Sequence, residues 1–194
     1  AGRFKEAIAA YDRAIKASPD ASEAFNNRGL AYHKLGQIGN ALKDYDQAIK
    51  INPNFTDALY NRGNALLAQK QYERAIKDFD QVINQNPRMP KVYDQRGQAY
   101  SGLGQYDNAI KNFNQSQKLD PKDPEIYYSR GLAYRRLGKP DLAVQDYSEA
   151  IKLEPKNAEA YNNRANAYSL LGQFNHALRD YDQAIKLDPR NARI

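Results

Sequence analysis

Residues 22–55 read SEAFNNRGLAYHKLGQIGNALKDYDQAIKINPNF, and residues 158–191 read AEAYNNRANAYSLLGQFNHALRDYDQAIKLDPRN. The two stretches keep their small, aromatic and proline residues in register. The same spacing fills the interval between them. Pro19, Pro53, Pro87, Pro121, Pro155 and Pro189 recur at one constant step, and Ala7, Ala41, Ala75, Ala109, Ala143 and Ala177 recur at the same step. Gly29, Gly63, Gly97 and Gly131 follow it too, with Ala165 in fifth place. A fixed 34-residue period of this kind marks a repeat architecture. Five full units span 22–55, 56–89, 90–123, 124–157 and 158–191. Residues 1–21 read as the second half of an earlier unit, and 192–194 as the start of a further one.

Each unit predicts two helices. Phe25, Gly29 and Tyr32, like Tyr127, Gly131 and Tyr134, lie on one face of a 3.6-residue period. Gly36, Gly104, Gly138 and Gly172 then supply a helix C-terminal stop, with Lys70 as the exception. The second helix carries Ala41, Leu42, Tyr45, Ala48 and Ile49 on one face, and the proline ends the unit. Asp123 followed by Pro124 reads as an N-cap ahead of a first-turn proline. The small residues allow two helix backbones to approach closely, and aromatic rings fill the space beside them. One 34-residue hairpin cannot bury its apolar faces alone, so neighbouring units must stack into a single all-α solenoid domain.

Composition narrows function. The 194 residues contain 15 Tyr and 6 Phe, too many aromatics for a disordered chain, although mean hydropathy is −0.88. No apolar run is long enough for a membrane span. With no Cys there is no disulfide framework, thiolate metal site or cysteine nucleophile. His33 and His176 fall in different units, and neither has a helix-spaced carboxylate partner that would suggest a metal site. The glycines read as packing and turn residues rather than a phosphate cradle. No catalytic residue, metal site or cofactor is nominated. The chain opens on Ala1 rather than Met, which implies a processed or trimmed product and leaves localisation open.

The pattern resembles the tetratricopeptide repeat (TPR) family across essentially the whole chain. Phe25, Gly29, Tyr32, Ala41, Tyr45, Ala48 and Pro53 match its motif, as do Tyr161, Tyr168, Ala177, Tyr181, Ala184 and Pro189. The 35-residue pentatricopeptide type fits the period and the prolines less well. The resemblance implies a right-handed superhelix of stacked hairpins that binds protein partners. It also implies that outward residues of each first helix line a concave groove.

One departure recurs. Where the family usually has Leu before the glycine, this chain has Arg28, Arg62, Arg96, Arg130 and Arg164. Asp44, Asp78, Asp146 and Asp180 follow four of them at one fixed offset, and Asn112 follows the fifth at the same offset. The matching acids favour structural ion pairs Arg28–Asp44, Arg62–Asp78, Arg130–Asp146 and Arg164–Asp180, with the arginine stems covering apolar surface. The competing reading is a row of groove cations for acidic ligands.

Peptide-groove candidates come from the first helices: Asn27, Tyr60, Asn61, Asn64, Gln95, Gln98, Tyr128, Arg135, Asn163 and Asn166. Amide side chains donate and accept together, which suits the backbone of an extended peptide. Asn27, Asn61 and Asn163 resemble the asparagine ladder in the TPR part of O-linked N-acetylglucosamine transferase, with Gln95 and Ser129 interrupting the run. Asparagine at this position also satisfies neighbouring backbone with no ligand. The clamp for chaperone tails fits only at Asn61 and Lys91, and fails at Asn26, Leu30 and Gln95.

The net charge of +6 is spread thinly. Residues 1–21 and each of the four units across 22–157 carry +1, 158–191 carries none, and Arg193 adds the last. Arg135-Arg136 is the one tandem basic pair singled out, and acids are interleaved throughout, which argues against a phosphate-tracking surface. The reading is therefore a non-catalytic protein–protein interaction scaffold. A recruiting region of a larger enzyme or assembly factor is the alternative, and nucleic-acid binding is disfavoured. Two further expectations concern local weakness. Ser116 and Gln117 place polar residues in the packed stripe of 90–123, which should soften it. Apolar faces at the two ends, carried by Ile8 and Leu178 among others, should favour end-to-end self-association.

Overall fold

The structure, a computed structural model, describes residues 2–189. Their regular elements are all helices: α1 (Gly2–Ala17), α2 (Ser22–Lys34), α3 (Ile38–Ile51), α4 (Thr56–Ala68), α5 (Tyr72–Gln85) and α6 (Pro90–Gly102), followed by α7 (Tyr106–Leu119), α8 (Pro124–Arg136), α9 (Pro140–Leu153), α10 (Ala158–Leu170) and α11 (Phe174–Leu187). The first helix of each repeat is called an A helix (α2, α4, α6, α8, α10), and the others are B helices. The further unit expected at 192–194 lies outside the described residues. The helices gather into two compact units, Ala1–Ala99 and Tyr100–Ile194, whose boundary falls inside α6.

The A-to-B turn repeats the same hydrogen bonds. Gly36 N–H donates to the His33 carbonyl and Gln37 N–H to that of Tyr32, both at 2.9 Å. Such a closure needs a left-handed residue. Gly36, Gly104, Gly138 and Gly172 take φ of 69° to 75°, and Lys70 takes 57° in the same role. The turn therefore keeps its geometry even where its glycine is missing. The B helix ends in an Asx-type turn: Asn54 N–H donates to Asn52 Oδ1 at 3.2 Å, and Lys122 N–H to Asp120 Oδ1 at 3.2 Å. Asp123 caps α8 by accepting from Glu125 N–H at 3.0 Å, with Pro124 in the first turn.

Small residues set the approach of A and B helices. A Cβ on Gly63 would lie 2.6 Å from Phe79 Cε1, and one on Gly29 would lie 2.8 Å from Tyr45 Cε1. In residues 1–99 the core gathers Ala41, Tyr45 and Ala65, with Tyr32, Ile38 and Leu42 packed against them. In residues 100–189, Ala109, Phe113, Ile126 and Ala133 form one cluster, and Ala143, Tyr147 and Ala167 another. Each cluster draws residues from consecutive hairpins, so the apolar stripes are buried between repeats. Within each compact unit the fold is an α-solenoid of stacked helical hairpins. The outer helices lack this cover. No residue of α1 is buried, and Phe174 and Leu178 of α11 are 65% and 61% exposed.

The expectation that Ser116 and Gln117 soften α7 needs correcting for Gln117. Its Nε2 donates to the Tyr127 hydroxyl at 3.2 Å, and its Oε1 accepts from Arg130 Nη1 at 2.6 Å. The polar residue that replaces isoleucine here bridges two side chains of α8, so its burial carries no unmet hydrogen bond.

Candidate functional site

The arginine column lies between helices rather than on open surface. Arg28 Nε and Nη2 donate to the two carboxylate oxygens of Asp44 at 2.8 and 2.6 Å, a bidentate fork. Arg62–Asp78, Arg130–Asp146 and Arg164–Asp180 repeat this fork, at 2.7 to 2.8 Å. Hydrogen bonding to Asp44 raises the pKa of Arg28, and bonding to Asp78 does the same for Arg62, in both cases against burial. Burial pushes the Asp146 carboxyl up, against the pull of Arg130. Desolvation thus takes back much of what the pair gains, and its main effect is to fix one packing.

A second column was missed in the sequence. The remaining arginine nitrogen reaches back to the preceding B helix: Arg28 Nη1 donates to Asp12 at 2.6 Å, Arg62 Nη1 to Asp46 at 2.8 Å, and Arg96 Nη1 to Asp80 at 2.5 Å. The equivalent acceptors later in the chain are neutral, Asn114 for Arg130 at 2.7 Å and Ser148 for Arg164 at 3.0 Å. Each of these residues precedes its arginine by the same offset at which the first column of acids follows. The signal was available in the triplets Asp44-Tyr45-Asp46 and Asp78-Phe79-Asp80, which place one acid on each side of the buried ring. Aromatic faces complete the setting, with the guanidinium carbon of Arg28 5.5 Å from the Phe25 ring centroid.

The amide-rich face is bonded along its own length. Asn61 Nδ2 donates to Oδ1 of buried Asn26 at 3.0 Å, and Asn26 Nδ2 donates to Asn27 Oδ1 at 3.3 Å. In residues 100–189, Asn163 Nδ2 donates to the Tyr128 hydroxyl and to the Glu159 carbonyl, both at 3.0 Å. Gln98 donates to Asp94 at 2.8 Å, and Asn166 Oδ1 accepts from the Tyr181 hydroxyl at 2.7 Å. The Tyr60 ring packs 6.3 Å from Phe79, Gln95 is half-buried, and Asn64 Oδ1 is buried with no hydrogen-bond partner. Arg135 lies in the last turn of α8, half-buried. Much of the hydrogen-bonding capacity that the sequence assigns to a ligand therefore holds neighbouring A helices in place. Partners a full repeat apart, such as Asn61 with Asn26 and Asn163 with Tyr128, are visible only once the hairpins are stacked.

Profile comparison agrees with this geometry. The tetratricopeptide repeat profile matches residues 22–55, 56–89 and 158–191, and a second TPR repeat profile matches 1–36, 102–138 and 131–172. The chain belongs to the tetratricopeptide repeat family. No curated protein sequence matches it significantly. Solved structures share the TPR fold. YrrB, described as a TPR protein with an unusual peptide-binding site, is 21% identical over 94% of both chains, with a TM-score of 0.76. MamA 41-end from Desulfovibrio magneticus RS-1 is 20% identical over 88% of this chain and 96% of its own, with a TM-score of 0.81. TTC0263, a thermophilic TPR protein in Thermus thermophilus, is 24% identical over 88% of this chain and 93% of its own, with a TM-score of 0.69.

TPR repeats are in general non-catalytic scaffolds for protein interaction, and this chain carries them nearly end to end. Among the described residues no group of three or more His, Asp or Glu side chains is arranged to hold a metal ion. No helix there is long and apolar enough to cross a membrane. His33 is half-buried on α2, and burial followed by the charge of Lys34 lowers its pKa. His176 is exposed, with its ring centroid 5.1 Å from that of Tyr168.

Proposed function

We propose that this TPR chain is a protein-interaction scaffold whose A helices present a peptide segment of a partner with fixed polar and apolar contacts. The observation that carries the reading is the locked state of the A-helix face. Asn61 is held by Asn26 and Asn163 by Tyr128, so their positions are set before any partner arrives. Preorganised side chains lose little entropy on binding. Tyr60 and Asn64 on α4 of the first compact unit are half-buried, as are Leu132 on α8 and Asn166 on α10 of the second, and Leu30 on α2 is 37% exposed. This mixture suits an extended or helical peptide that offers apolar side chains at intervals and backbone groups between them.

Selection of twelve-residue peptides displayed on phage tests the reading. Binders should lose at least tenfold in affinity to Tyr60→Ala or Leu132→Ala, and little to the exposed B-helix change Lys77→Ala. Binders indifferent to both A-helix changes would remove the A-helix face from the interaction.

A further inference from the structure

Residues 4–16 read FKEAIAAYDRAIK, and residues 174–186 read FNHALRDYDQAIK. These stretches lie in α1 and α11, the first and last of the described helices, and both are B helices. They share Phe, Tyr, Asp and Ile at the positions that carry Ile38, Tyr45, Asp46 and Ile49 in α3. In α1, α3, α7 and α9 the side bearing this aspartate meets the following A helix, and among the described residues no helix covers it in α11. Phe174 and Leu178 are exposed there, whereas Ile38 and Leu42 of α3 are half-buried against the cluster that includes Ala65 of α4. Asp182 belongs to the second acid column. Asp12, Asp46 and Asp80 each hold an arginine of the next A helix, while Asp182 is exposed and no arginine reaches it among the described residues.

A helix that covers α11 must bring an alanine to Leu178 and an arginine to Asp182. The A helices α4, α8 and α10 offer both, but each is clamped between two B helices that are themselves packed in hairpins. The exception is α2, which offers Ala31 and Arg28 and is covered on its outer side by α1. That cover is thin: no residue of α1 is buried, and the Asp12 side chain that holds Arg28 is 52% exposed. We propose that α11 of one copy displaces α1 from α2 of a second copy, with Asp182 taking the Arg28 nitrogen that Asp12 holds. The exchange conserves ion pairing, because one exposed aspartate replaces another on Arg28 Nη1. It also removes Phe174 and Leu178 from water, which favours docking. The incoming helix is already ordered, since Asp180 of α11 is gripped by Arg164 of α10, so docking costs little conformational freedom. Ala10 stands at the same place in α1, which packs on α2 alone. Each docked copy still presents an open α11, so the contact is heterologous and builds head-to-tail rows rather than a closed dimer. This inference is independent of the peptide reading of the A-helix face.

Sedimentation of the full chain, from micromolar to millimolar concentration, tests the displacement. The average mass should rise with concentration. Ile8 and Leu178 hold equivalent positions, yet displacement gives them opposite roles. Leu178→Glu spoils the arriving face and should weaken association by about tenfold or more, whereas Ile8→Glu loosens the helix to be displaced and should strengthen it by about tenfold or more. The two exposed acids give a milder pair that leaves the packed core untouched. Asp182→Ala should weaken association and Asp12→Ala should strengthen it, each by up to about fivefold. Cross-linking reads the register, because the chain has no Cys. Ala31 and Leu178 are the repeat equivalents of Ala65 and Leu42, which belong to one packed cluster. A mixture of Ala31→Cys and Leu178→Cys chains should therefore form a disulfide-linked pair on mild oxidation, and a mixture of Lys77→Cys and Leu178→Cys chains should not. Association weakened by both Ile8→Glu and Asp12→Ala would overturn displacement in favour of α1 simply abutting α11. A strict monomer at the highest concentration would overturn self-docking altogether.

Discussion

Arg62 holds Asp78 with both Nε and Nη2, at 2.8 and 2.7 Å, while its third nitrogen holds Asp46 on the preceding B helix at 2.8 Å. The two acids differ in cover, Asp78 being 5% exposed and Asp46 51%. Asp46→Ala should therefore cost at most about 1 kcal/mol, since an exposed pair is screened by water. Asp78→Ala strands a mostly buried guanidinium and should cost about 2–3 kcal/mol. Denaturant midpoints of the two variants read the difference directly, and equal shifts would contradict the burial argument.

Lys70 takes a left-handed φ of 57° in the turn that four other repeats close with glycine. A side chain loses about 1 kcal/mol in this conformation. Lys70→Gly should stabilise the protein by roughly 0.5 kcal/mol, the relief being partly offset by the greater freedom of glycine in the unfolded chain. Thermal melting would show a small rise in midpoint, and a fall would mean that the lysine makes a compensating contact.

Gly63→Ala should be destabilising by about 1–3 kcal/mol, because the new methyl meets the Phe79 ring in a packed core. Ala165 occupies the equivalent position opposite Tyr181, and Tyr181 is only half-buried, so its ring has room to lean away. Ala165→Gly should accordingly bring no comparable gain. Urea titration of the pair checks both signs.

His33 has a folded pKa below its ordinary value of 6.5, chiefly through burial and secondarily through Lys34. As pH falls, the unfolded chain takes up the proton first, so stability drops below about pH 6.5 and levels off under the lower folded pKa. Above that range the group contributes no slope. Leu67 holds the same repeat position, so His33→Leu should fold and should remove this part of the acid sensitivity. The check is the difference in unfolding free energy between pH 7.5 and pH 5.5 for the two proteins.

Much of the fold was legible because its causes are local or strictly periodic. Gly36 and Gly104 declare a left-handed turn, Ala41 and Gly29 a close helix contact, and Pro53 the end of a unit. The candidate site was less legible because its bonds run between repeats. Asn61 reads as a ligand amide until Asn26 is brought beside it, and Gln117 reads as a flaw until Tyr127 and Arg130 meet it. The second acid column escaped notice for a related reason. Asp46 and Asp80 are exposed by pattern and look like solvated charges, yet each faces an arginine contributed by the next hairpin.

The double grip of these arginines also bears on how such a chain can change length over evolution. Arg28, Arg62, Arg130 and Arg164 each find one partner behind them and another ahead at equal sequence separation, and both spans fit inside one repeat period. Deleting residues 56–89 as a block would bring Arg96 into the sequence place of Arg62, with Asp46 behind it and Asn112 ahead. Duplication of a block is equally silent. Gain or loss of a fraction of a period would instead strand a charge on both sides of the junction. The ionic register thus acts as a copying rule, permitting the array to grow or shrink only by whole repeats.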